Sequence, residues 1–120
     1  MNDPNDALQR MHTQLEQWKQ CSDRRAVFLE CYSMMTANML RAIEAGEFHD
    51  ALWVRHLLEH FAAYYFNALQ AYETDQPQTP HIWRQTFDCA RQADSQALQN
   101  LLLGVNAHIN YDLVLAVSDL

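Results

Sequence analysis

Apolar residues recur at three- and four-residue spacing along nearly the whole chain, the period of helices that bury one face. Asp3 before Pro4 reads as an N-cap with proline in the first turn, and Leu8, Met11, Leu15 and Trp18 follow on one stripe, so a first helix is predicted to end near Cys21. A second starts after Ser22 or Asp23, carries Phe28, Tyr32, Met35, Met39 and Ile43 inward, and stops at Gly46. Asp50 caps a third with Val54, Leu57, Leu58, Phe61, Tyr65, Leu69 and Tyr72 buried, ending before Pro77. Thr79 and Pro80 open a shorter fourth, with Trp83, Phe87 and Ala90 inward, and Ser95 can start a fifth.

The fifth differs from the rest. Leu98, Leu101, Leu102, Val105, Ile109, Leu113, Leu115 and Ala116 fill half its circumference, which predicts a helix running through the middle of the bundle. No period-two alternation and no internal repeat competes with this reading. The expected fold is therefore an all-α, single-domain helical bundle of about five helices with a central apolar C-terminal helix, spanning residues 1–120. The sequence stops at Ser118-Asp119-Leu120 without a capping glycine, so a frayed last helix or a domain truncated at its C-terminus is expected.

Composition narrows the function classes. With 49% hydrophobic and 19% charged residues the chain is globular, and two glycines with three prolines leave little material for turns, which favours long helices. Fifteen acidic against eight basic residues give a net charge of −7, which repels phosphate backbones and anionic lipid, so neither nucleic acid nor membrane is an expected partner. Cys21, Cys31 and Cys89 lack C-x-x-C spacing, and the N-terminus lacks a basic start followed by an apolar run, which fits a cytoplasmic protein. No segment is expected to reach the roughly 20 apolar residues of a membrane span.

The candidate chemistry lies in the most apolar stretch, Leu101 to Leu113, where Asn106, His108, Asn110 and Asp112 interrupt the leucines. Burying an amide without a hydrogen-bond partner costs roughly 2–7 kcal/mol, so polar groups there must be partnered or used. Gly104, His108 and Asp112 are spaced four apart and share one stripe; His108 and Asp112 can meet in the core, and Gly104 lets a helix or a ligand come close. Asn106 and Asn110 form a second four-spaced pair. One reading is a buried polar pocket of Asn106, His108, Asn110 and Asp112 that binds a small ligand or a divalent metal; the other is a structural network that fixes the bundle's register.

Catalytic candidates are His108 and Asp112, either as base and orienting partner or as ligands of an ion that activates water in a metal-assisted hydrolase. A catalytic metal wants about three protein ligands, and spacing supplies two. His56 and His60 are read as solvated, as are His12, His49 and His81. Tyr32, Thr36, Tyr65 and Tyr72 could turn hydroxyls toward His108, and Met34, Met35 and Met39 read as core filler. A third reading is a non-enzymatic interaction module that pairs through exposed apolar surface, with a homo-oligomer as one outcome.

The H-x-x-x-D spacing of His108 and Asp112 resembles the zinc-binding helices of the phospholipase C and single-strand nuclease group, whose further pairs are missing here. The run Leu101-Leu102-Leu103-Gly104-Val105-Asn106-Ala107-His108-Ile109-Asn110-Tyr111-Asp112-Leu113 is similar to the LLLGxNAHINxDL signature of a bacterial all-helical family of unknown function. The similarity extends upstream through Tyr32 with Thr36, Gly46-Glu47-Phe48, the Phe61 to Leu69 run, and Pro80 with Trp83, over roughly residues 28–117. Ala51 stands where that family often has proline, and the resemblance implies further helices after the signature. It supports the location of the site and implies no reaction.

Overall fold

The computed structural model describes residues 4–120, and no strand occurs among them. The predicted Asp3 cap lies outside the described residues. Helix α1 is Pro4–Gln20, α2 Ala26–Glu44, α3 Ala51–Glu73 and α4 His81–Arg91. The fifth, α5, runs Ala97–Ser118 in three stretches: α-helical Ala97–Ala107, a π-helical turn His108–Leu113, and α-helical Val114–Ser118.

Local chemistry sets the joints. Between α1 and α2, Asp23 accepts from the Arg25 amide and from its guanidinium, and the guanidinium lies over Trp18 at 4.5 Å, closing the turn. After α2, Gly46 takes φ +74°, and the Glu47 amide donates back to the Ala42 carbonyl. That is the left-handed helix terminus glycine makes without strain. The Asp50 carboxylate accepts from the Trp53 amide at 3.0 Å and caps α3. At α4 the cap position falls to Pro80, and the Thr79 hydroxyl instead donates to the Gln76 carbonyl at 2.7 Å. Nor does Ser95 cap α5; its hydroxyl receives Arg24 and the Asn100 amide, and the helix begins one residue past Gln96.

Helix α1 packs on α2 and α3, while α5 lies against α2, α3 and α4. The main core joins Met11, Leu15 and Trp18 to Leu29, Tyr32, Tyr65, Phe66, Leu69, Trp83 and Phe87; Leu40, Ile43, Val54 and Leu58 form a second cluster. On α2 the buried face is Phe28, Leu29, Tyr32, Ser33, Thr36, Leu40 and Ile43. Met34 and Met35, expected as core filler, are exposed, because small Ser33 and Thr36 take the packed positions.

The largest departure is the rotation of α5. Its buried residues are Asn100, Gly104, Ala107, His108, Asp112 and Ala116. Of the stripe predicted inward, Ala116 alone is buried, whereas Leu98 and Leu102 are 65% and 59% exposed and Val105 and Ile109 also face out. The helix contacts three others, as a central helix should, but through its small and polar side. Gly104 explains part of this: a Cβ there would stand 2.7 Å from Phe28 Cβ, so α5 meets α2 at a distance that bulky side chains would prevent.

By length and composition, Ala97–Ser118 is apolar enough to cross a membrane, contrary to the expectation that no segment reaches that threshold. Asp112 is its one charged residue before Asp119, and here that carboxylate is packed inside the bundle. Gly104→Ala is expected to destabilise the fold by about 1–3 kcal/mol, because the obstructing atom is next to the α2 backbone and cannot swing aside. Urea unfolding measures it; a variant as stable as the parent contradicts the close approach.

Candidate functional site

The site grows from the four-residue spacing of His108 and Asp112. The π turn spanning them bonds i to i+5, which widens the helix and brings residues four apart closer to one line. The imidazole Nδ1 and Asp112 Oδ2 are 3.0 Å apart, and the two side chains are 2% and 1% exposed. From α4, the Trp83 indole N–H reaches both carboxylate oxygens, at 3.0 and 3.1 Å. Trp83 itself is fully buried, so an indole N–H that needs an acceptor and a carboxylate that needs donors satisfy each other.

Aromatic rings enclose the imidazole. Phe61 stacks on it with centroids 3.6 Å apart and planes 6° from parallel, and Tyr32 approaches at 4.0 Å. Phe28 stands edge-on at 5.5 Å, with Tyr65 and Trp83 behind at 6.1 and 6.2 Å. Burial among these rings pushes the His108 pKa below its ordinary value, and the Asp112 hydrogen bond and charge only partly oppose this. The ring is therefore neutral at pH 7. Facing a carboxylate, Nδ1 carries the proton and donates it, which leaves Nε2 as a bare lone pair. Nε2 is buried with no hydrogen-bond partner, and the Tyr65 hydroxyl and Asn100 Oδ1 are in the same condition. Burial also raises the Tyr32 and Tyr65 pKa values, keeping both hydroxyls protonated.

The structure separates the four polar residues of the C-terminal run. His108 and Asp112 meet inside, together with Gly104. Asn106 and Asn110 lie exposed on the flank of the outward face, the Asn110 amide donating to Asn106 Oδ1 at 2.6 Å. The amides therefore do not line the imidazole's surroundings. Tyr72 donates to Asp88 at 2.6 Å and takes no part. His12, His49, His56 and His81 are exposed, and half-buried His60 sits 3.7 Å from Asp119. Trp83 and Phe61 are the site residues that helical spacing alone did not bring to His108; the unpaired donor of an inward tryptophan was the available signal.

The family model described as "Family of unknown function (DUF5995)" matches residues 5–120. The chain belongs to this family. DUF5995 membership agrees with the resemblance to a helical family of unknown function and brings no activity with it. No curated protein and no solved structure matches this DUF5995 chain.

As a metal centre, the donor set is thin. Both Asp112 oxygens and His108 Nδ1 are committed to one another and to Trp83, so Nε2 is the remaining ligand atom of the pair. Among the described residues no group of three His, Cys, Asp or Glu side chains could hold an ion. What the arrangement offers chemically is one neutral, oriented imidazole with a free acceptor nitrogen.

Two outcomes follow. Asp112→Ala orphans the Trp83 and His108 donors and is expected to cost about 3–5 kcal/mol in urea unfolding. Because the folded state holds the His108 pKa below that of the unfolded chain, the unfolded state binds more protons in between. Stability should therefore be full above about pH 6.5 and fall as pH drops from there toward the folded-state value. His108→Phe is expected to flatten that decline; a variant keeping the parent's pH profile contradicts a buried neutral imidazole.

Proposed function

We propose that this chain is an interaction domain whose α5 presents an uncharged apolar face to a helical protein partner. The observation that carries the reading is the inverted amphipathicity of α5: its polar residues are inside and Leu98, Leu102, Val105, Ile109, Val114 and Val117 are outside. Burying a Leu, Ile or Val side chain is worth about 1.5–3 kcal/mol, so an isolated helix of this sequence would turn its leucines inward. Exposed apolar patches of this kind mark contact sites on soluble proteins. Leu98, Leu102, Val105 and Ile109 follow the four-three-four spacing with which one helix seats against another. The Trp83–Asp112–His108 network then acts as the clamp that holds the face outward.

A benzophenone amino acid at Leu102, photolysed in cells that express the chain natively, is expected to give a discrete protein adduct. The same probe at exposed His12 on α1 should give none. Absence of a discrete adduct at Leu102, or equal labelling at both sites, contradicts the reading.

A second reading rests on His108 Nε2, the unpartnered buried acceptor. A small ligand with an N–H or O–H donor would satisfy it after a shift of the Phe61 or Tyr32 ring. Titration with phenol, an O–H donor of ring size, should then move the His108 Nε2 resonance; an unmoved resonance contradicts it.

A further inference from the structure

We infer that the occupant of the α5 face is α5 of a second copy of this chain, packed antiparallel about a two-fold axis that passes near His108. The inference rests on the interaction-domain reading and names its partner. A two-fold contact requires a surface that complements itself, each residue facing its mirror position on the other copy. The exposed positions of α5 are arranged in that way. His108 is the midpoint between Asn106 and Asn110, between Val105 and Tyr111, and between Leu102 and Val114; Leu98 and Val117 fall close to equivalent distances at the two ends. All of these flanking residues are exposed.

In the antiparallel register, Leu102 of each copy meets Val114 of the other, the Ile109 side chains lie close to the axis, and Asn106 faces Asn110. The two asparagines bond to each other within one copy through one donor and one acceptor. Each keeps further hydrogen-bonding capacity, so the four amides of a pair can join across the axis. A polar pair within an apolar helix seam sets register and orientation.

Charge separates this partner from a lipid surface. The chain carries −7, and from Ala97 to Ser118 there is no lysine or arginine, so nothing on this face attracts anionic headgroups. Asp112, the one acidic residue of that span, is buried, so two copies bring no like charges together at the seam. Repulsion between the copies is confined to surfaces outside the contact, where salt screens it.

The test is the molar mass of the purified full chain by sedimentation equilibrium, with far-UV circular dichroism to confirm folding. The parent is expected to reach twice the chain mass as concentration rises, and more readily at higher salt. Leu102→Lys alone and Val114→Glu alone should each hold the protein at the monomer mass. The double variant, carrying Leu102→Lys together with Val114→Glu, places the introduced ammonium of one copy against the introduced carboxylate of the other at both ends, and it should recover the dimer. A parent that remains monomeric to millimolar concentration overturns the inference, as does association that weakens with salt. A double variant that folds and stays monomeric overturns the antiparallel register. A monomeric chain whose Leu102 adduct in cells has a different partner's mass, or one that floats with phosphatidylcholine vesicles, overturns self-pairing; the first of these leaves the interaction-domain reading standing.

Discussion

The structure depends on the bonding of one buried carboxylate. Asp112 sits on a helix whose remaining exposed and half-exposed side chains are almost all apolar, and transfer of such a charge out of water is costly unless donors surround it. Trp83 from α4 and His108 from the preceding turn of α5 supply those donors. Together they fix the rotation of α5 and its distance from α4. Gly104 allows the same face to close on Phe28 of α2. The polar network and the close glycine contact act on one side of the helix, and the leucines are left on the other.

This arrangement links the site and the surface. A helix with only apolar residues would settle leucine-side in, and the domain would present an ordinary polar exterior. Because the buried face is polar and small, the apolar face is outside and available. The neutral His108 is part of the same constraint: its Nδ1–H completes the shell of Asp112, and the aromatic cage that neutralises it comes from α2 and α3. The network therefore ties α5 to every helix it touches.

Much of the fold was legible because its signals are local. The Asp50 cap, the Gly46 terminus and the stripes of α1 and α3 depend on neighbours within a turn or two. The meeting of His108 with Asp112 was legible for the same reason, since four-residue spacing on a helix decides it. The orientation of α5 was not, because periodicity identifies an apolar face without saying what that face meets. Here the competing face carried a glycine and two bonded polar groups whose partners, Phe28 and Trp83, are distant in sequence. Asn106 and Asn110 were grouped with His108 for the same reason: spacing showed two pairs, and the helix's rotation about its axis, which separates them, is a tertiary property.

The account stands most directly on the tautomer and titration of His108, read by nitrogen-15 NMR of the imidazole. It predicts a neutral ring at pH 7 protonated at Nδ1, with a pKa below the ordinary histidine value. An imidazole that titrates like a solvated histidine, or that carries its proton at Nε2, would show that His108 is not bonded to Asp112 inside the bundle, and the outward rotation of α5 would lose its cause.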